Sequence, residues 1–143
     1  MGSPEEKAIL KKMFYTNRNW GHIQRGNYNI NGKEMYFRSK AEANYALYLD
    51  WLQKEGEIEK WEYEPDIFTF DAIKYGTRQY TPDFKILTRG IIRYDEVKGF
   101  MDSKSRTKLK RMAKYYPEVA IVIIDSKCYN DIKKKVGKLC KFY

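Results

Sequence analysis

Apolar residues recur at helical spacing over residues 39–54, where Ala41, Tyr45, Tyr48, Leu49 and Leu52 fall on one face. Ser39 heads this helix and Gly56 stops it. A second helix is predicted over residues 103–116, with Leu109, Met112, Ala113 and Tyr116 as its core stripe. Asp102 or Ser103 caps it and Pro117 ends it. A third, over residues 126–136, turns Tyr129, Ile132 and Val136 inward and Lys133, Lys134 and Lys135 outward. Weaker spacing predicts a short helix over residues 5–14, followed by a loop to residue 26. Strict alternation predicts a strand over residues 58–63, ended by Pro65, and another strand covers residues 67–73. Asn31-Gly32 predicts a tight hairpin between residues 27–30 and 33–37. A second hairpin joins residues 79–87 to 91–98 through Thr88-Arg89-Gly90. Residues 119–124 (VAIVII) are apolar without alternation, as in a strand buried on both faces. Residues 138–143 form a last strand or simply trail. The order predicts an α/β domain, a central mixed sheet flanked by helices. At 143 residues the chain makes one domain.

Charge changes this picture. The net charge is +9, yet residues 1–97 hold fifteen basic and fifteen acidic side chains. The whole excess lies in residues 98–143, with thirteen basic against four acidic. Lys104, Lys110, Arg111 and Lys114 face away from the second helix's apolar stripe, with Lys108 on its flank. Together with Lys133 and Lys134 they are candidate phosphate contacts. The plainer alternative is a solubilising lysine face. Arg18, Trp20, Arg25 and Tyr28 could touch a partner; the plainer reading, preferred because nothing fixes their geometry, is ordinary surface and satellite core. One histidine, His22, and two cysteines, Cys128 and Cys140, argue against a zinc site and a disulfide scaffold. No signal peptide or membrane-length apolar run is visible, so a reduced, cytoplasmic setting is expected.

The candidate chemistry sits on the second hairpin. Asp83 and Glu96 occupy facing strands, and Lys98 shares the face of Glu96. Alternation sends Asp95 to the opposite face, which removes it from this group. Carboxylates brought close repel unless a cation or proton joins them. Without histidine, such a set suits hard cations, Mg²⁺ or Mn²⁺. A lysine beside it, and basic helices to hold flanking phosphates, point to phosphodiester hydrolysis. Each residue has a plainer reading. Asp83 suits a strand-edge carboxylate, and Glu96 with Lys98 a surface ion pair worth at most about 1 kcal/mol. Glu42 completes a capping box with Ser39, each satisfying a free backbone N–H.

Pro82-Asp83, twelve intervening residues and Glu96-Val97-Lys98 resemble the motif of the PD-(D/E)XK nuclease superfamily. The stretches Arg38-Ser39-Lys40-Ala41-Glu42-Ala43, Tyr80-Thr81-Pro82-Asp83-Phe84, Glu96-Val97-Lys98-Gly99 and residues 109–117 are more specifically similar to small phage-encoded nucleases related to archaeal-type Holliday-junction resolvases. The resemblance covers residues 36–136 and leaves the first thirty-five as an N-terminal extension. It implies a restriction-endonuclease-like αβββαβ core with Pro82-Asp83 on a strand. It implies an Mg²⁺-dependent endodeoxyribonuclease acting on DNA, branched DNA in the resolvase case, as a homodimer. Asp83, Glu96 and the Val97 carbonyl would hold the metal, Glu42 would reach it through water, and Lys98 would be the catalytic lysine. Alternatives are a less selective or nicking endonuclease, a non-catalytic DNA-binding protein on the same scaffold, and an RNA-binding module.

Overall fold

A computed structural model describes residues 25–143. The helix predicted over residues 5–14 lies outside the described residues, as do Arg18, Trp20 and His22. The described chain is mixed α/β, a central mixed sheet with three helices.

Two strands, β1 (Gly26–Ile30) and β2 (Lys33–Phe37), pair as a separate hairpin. Asn31 and Gly32 turn it with φ of 50° and 99°, the left-handed pair that a two-residue turn requires. Helix α1 (Lys40–Lys54) follows, capped by Ser39, whose hydroxyl accepts from the Glu42 N–H at 3.1 Å. Gly56, at φ 80°, lets the chain leave the helix. Alternation and helical spacing foresee one buried stripe on α1, yet every residue from Ala41 to Leu47 is buried. The reason is position: α1 packs against β1, β2 and the central sheet at once. Glu42 and Asn44 are enclosed with it. Asn44 is satisfied there, donating to the Tyr129 hydroxyl at 2.9 Å and accepting from the Tyr143 N–H at 2.8 Å.

The central sheet has the order β3 (Lys60–Tyr63), β6 (Phe84–Thr88), β7 (Ile91–Val97), β8 (Ala120–Ile124). The first three run antiparallel, and β8 lies parallel to β7. A parallel neighbour needs a crossover, and α2 (Ser103–Tyr115), capped by Asp102, supplies it. Helix α3 (Ser126–Val136), capped by Asp125, packs beside α1. Phe84 and Ile86 from β6, with Ile124 of β8, point to the α1 and α3 side. Ile121 points the other way, toward Met112 of α2. Replacing Phe84, fully buried among four aromatic rings, by alanine costs about 3–5 kcal/mol.

Five local expectations change. Residues 79–87 are not one strand. Pro82 has no N–H for a ladder, and the run divides into β5 (Gln79–Tyr80) and β6. Pro82-Asp83 therefore lies in the connection entering β6 rather than on a strand. The strand expected over residues 67–73 shortens to β4 (Phe68–Thr69), which pairs with β5 outside the central sheet. The apolar run 119–124 is not covered on both faces, because β8 is a sheet edge among the described residues and Val122 is 42% exposed. Ala113 is exposed, and residues 138–143 form turns that pack Cys140 and Phe142 on the core rather than a strand.

Candidate functional site

The β6–β7 hairpin brings the two acids of the motif together. Its turn is Arg89-Gly90, with φ of 52° and 76°, and the register pairs Phe84 with Asp95. Asp83 stands one residue before β6 and Glu96 one residue from the end of β7. The Val97 N–H donates to Asp83 Oδ2 at 2.8 Å, closing the hairpin's open end. Lys98 follows, its own N–H on the Ile124 carbonyl at 3.0 Å. Asp95 faces the other way, buried against α1, where Tyr45 donates to it at 2.6 Å and Arg93 at 3.0 Å.

Glu42 arrives from the first turn of α1. Ser39 caps the helix as the capping box foresees, but the Glu42 carboxylate takes hydroxyl donors instead: Ser39 Oγ at 3.0 Å and the Tyr63 hydroxyl at 3.1 Å. Only 6% of Glu42 is exposed. A fourth acid, Glu64, joins from the end of β3. Oxygens of Glu42, Glu64 and Asp83 lie within 4.8 Å of one another. Glu64 takes φ 47°, uncommon for a residue with a side chain, and its N–H donates to the Asp83 carbonyl at 2.7 Å. Arg38 pairs with its carboxylate at 3.4 Å. The antiparallel register that sets Tyr63 opposite Phe84 sets Glu64 beside Asp83. That pairing joins strands far apart in the chain, so no local spacing announces Glu64. The one hint is its place between an alternating run and Pro65.

Burial and crowding raise the proton affinity of Asp83 and Glu42. The Asp83 carboxyl is held well above the usual carboxylate range, first by burial and then by the charges of Glu96 and Glu42, with the Val97 N–H opposing. Burial also raises Glu42, against the hydroxyls of Ser39 and Tyr63. The Tyr80 hydroxyl donates to Glu96 Oε2. Burial and the Glu96 charge hold that phenol far above its usual value, so it remains a donor. Tyr63 is raised similarly, by burial and then by the charge of Glu42.

Glu42, Asp83 and Glu96 line a cleft of about 260 Å³ that they share with basic side chains. Arg25, Arg38, Lys98 and Lys108 line it. Burial lowers the Lys108 ammonium, and the charges of Lys104 and Lys98 lower it further. Lys104 lines an adjoining trough that shares Lys108 with the cleft. Arg111 donates to the Thr77 carbonyl, and Lys114 sits 5.2 Å from the Tyr115 ring centre. Lys110 is exposed on the same helix. Lys133 and Lys134 are exposed on α3, across the sheet from α2. Of the seven candidate phosphate contacts, Lys108 alone lines the cleft.

Among the described residues, no helix is long and apolar enough to cross a membrane. No curated protein matches the chain. A family model, DUF1064, described as a protein of unknown function, matches residues 25–131, which include all four acids and both cleft lysines. The chain belongs to the DUF1064 family.

Proposed function

We propose that this protein is a metal-dependent endodeoxyribonuclease that hydrolyses phosphodiester bonds, selective for branched DNA and acting as a homodimer. The observation that carries the reading is the buried Asp83, packed among Glu42, Glu64 and Glu96, in one cleft with Lys98 and Lys108. The chain order α1, β3, β6, β7, α2, β8 supports a restriction-endonuclease-like αβββαβ core, interrupted by the β4–β5 ribbon. With that order, the resemblance of Pro82-Asp83 and Glu96-Val97-Lys98 to the PD-(D/E)XK motif gains weight.

The donor set fits magnesium or manganese. It offers only oxygen, and the raised proton affinity of Asp83 and Glu42 marks a place where positive charge is in demand. Asp83, Glu96 and the Val97 carbonyl would hold the ion, with Glu42 and Glu64 close enough to bind its waters. When bound, magnesium supplies a water of lowered pKa and offsets charge on the reacting phosphate. The chain's own residues do the rest. Tyr80 and Tyr63 fix the Glu96 and Glu42 carboxylates by hydroxyl donation. Lys98 presents an ammonium to the developing negative charge and orients the attacking water. Lys108, Arg38 and Arg25 hold the flanking phosphates.

The test is cleavage of labelled four-way junction, flap, linear duplex and single strand, with magnesium or EDTA. Wild type is expected to cut the junction only with metal, and Asp83→Ala and Lys98→Ala to be inert. Metal-independent cutting, or full activity in Asp83→Ala, overturns the mechanism. Equal cutting of duplex and junction removes the branched-DNA selectivity and leaves the chemistry standing.

A further inference from the structure

We infer that the loop between β4 and β5 is a second nucleic-acid contact, in which Tyr75 takes the face of an unpaired base beside the cleft. The inference rests on the nuclease reading of the cleft.

Tyr75 is 85% exposed, at the tip of this loop. Gly76 follows it at φ 78°, which turns the chain sharply after the ring. The loop beneath the ring is tied down. The Arg78 guanidinium donates to the Lys74 carbonyl, and Arg111 of α2 donates to the Thr77 carbonyl. The Phe70 N–H bonds the Arg78 carbonyl at 2.8 Å, and the Ile73 N–H bonds the Phe70 carbonyl at 2.9 Å. Phe70 itself is buried against Met112 of α2. A large aromatic ring is thus held out, 85% exposed, on a braced support, and among the described residues it belongs to no core cluster.

The surface that begins at the next residue, Gly76, is basic. A trough of about 500 Å³ runs between the loop and α2, lined by Gly76, Thr77, Arg78, Gln79, Lys104 and Lys108. No carboxylate lines it. Lys108 lines both trough and cleft, so the two adjoin at this side chain. A strand whose scissile phosphate sits in the cleft would lay its neighbouring phosphates along Lys108 and Lys104. Its bases would then reach Tyr75. Every base has a π-face, so stacking on an aromatic side chain adds affinity whatever the sequence. Within a duplex that face is already covered by the next base pair. A basic track ending in an exposed tyrosine therefore favours single-stranded or branched DNA over continuous duplex.

The experiment measures binding in EDTA to a fluorescein-labelled 20-mer single strand and to the blunt duplex of the same sequence. A second single strand carries 2-aminopurine in place of one base at a time. Tyr75→Ala is expected to weaken single-strand binding about tenfold to a hundredfold and duplex binding less than twofold. Tyr75→Trp is expected to restore single-strand affinity. One 2-aminopurine position should be quenched by wild type and not by Tyr75→Ala. Equal effects on both DNAs, no effect on either, or no binding by wild type overturns the inference. Retained affinity for an acidic peptide with none for DNA also overturns it. The two readings fail separately. Single-strand binding through Tyr75 without metal-dependent cutting of any DNA defeats the nuclease reading, whereas cleavage with a silent Tyr75→Ala defeats only the loop contact.

Discussion

The backbone N–H of Val97 donates to the carboxylate of Asp83 at 2.8 Å, across the open end of the β6–β7 hairpin. It offsets the burial and the neighbouring acids that otherwise oppose the Asp83 charge. Asp83→Asn keeps an oxygen to accept this bond and removes the charge. The metal-free variant is expected to melt a few degrees above wild type, while magnesium-dependent cleavage falls to background. Thermal denaturation in EDTA and a plasmid-nicking assay read the two effects. A variant that melts lower and still cuts contradicts the account.

The same crowding sets a pH dependence. The folded-state affinities of Asp83 and Glu42 for protons lie above their ordinary values of 3.8 and 4.5. The folded chain therefore binds more protons than the unfolded chain across the raised interval. Their favourable contribution is complete below the ordinary values and is lost as pH rises through the folded ones. Asp66, lowered by hydrogen bonds from Lys85 and Tyr94, and Asp102, lowered by Ser105, act oppositely and lose theirs as pH falls. In EDTA the urea midpoint is expected to decline with pH above the ordinary carboxylate range. With saturating magnesium the decline should vanish, and Asp83→Asn should remove most of it without metal.

Glu42 has two duties that mutation can separate. Ser39 performs the cap, and Ser39→Ala should cost about 0.5–2 kcal/mol of stability, read from urea denaturation. Glu42→Gln leaves the Ser39 cap intact and keeps an oxygen for the Tyr63 hydroxyl. It is expected to change stability little and to cut cleavage at limiting magnesium by at least about tenfold. Reversed results would make Glu42 a structural residue.

Tyr80 lines the cleft and gives its hydroxyl hydrogen to Glu96. Tyr80→Phe preserves the buried ring and deletes the donor. The magnesium concentration for half-maximal cleavage should rise about 10–100-fold, with the rate at saturating metal much less affected. An unchanged metal requirement would mean that Glu96 needs no such support.

Much of this fold is legible in the sequence. The helices announce themselves because apolar spacing, caps and stops agree, as at Ser39, Asp102 and Gly56. The exclusion of Asp95 follows from alternation alone, since one strand cannot point neighbours to the same face. Glu64 was illegible for a different reason. Its partnership with Asp83 depends on β3 pairing with β6, a contact between distant segments that no short window contains. The burial of Asn44 was illegible likewise, since it depends on α3 and the chain end closing over α1. The split of residues 79–87 was available in principle, because Pro82 lies within the run. A strong hairpin pattern on either side outweighed it.

The exposed border of β8 has a consequence for handling the protein. From Ala120 to Ile124 the strand holds only alanine, valine and isoleucine, with no lysine, proline or bulge to discourage a second backbone from pairing there. An apolar groove of about 380 Å³ adjoins it, lined by Met112, Tyr116, Ile121 and Ile123 among others. Solubility should therefore be governed by this strand more than by the net charge of +9, and high salt, which screens that charge, should bring on precipitation. Val122→Lys, at a half-open position opposite Asp95 and so on the sheet face turned away from Glu96, is expected to raise the concentration limit in light-scattering measurements and to leave cleavage as it was.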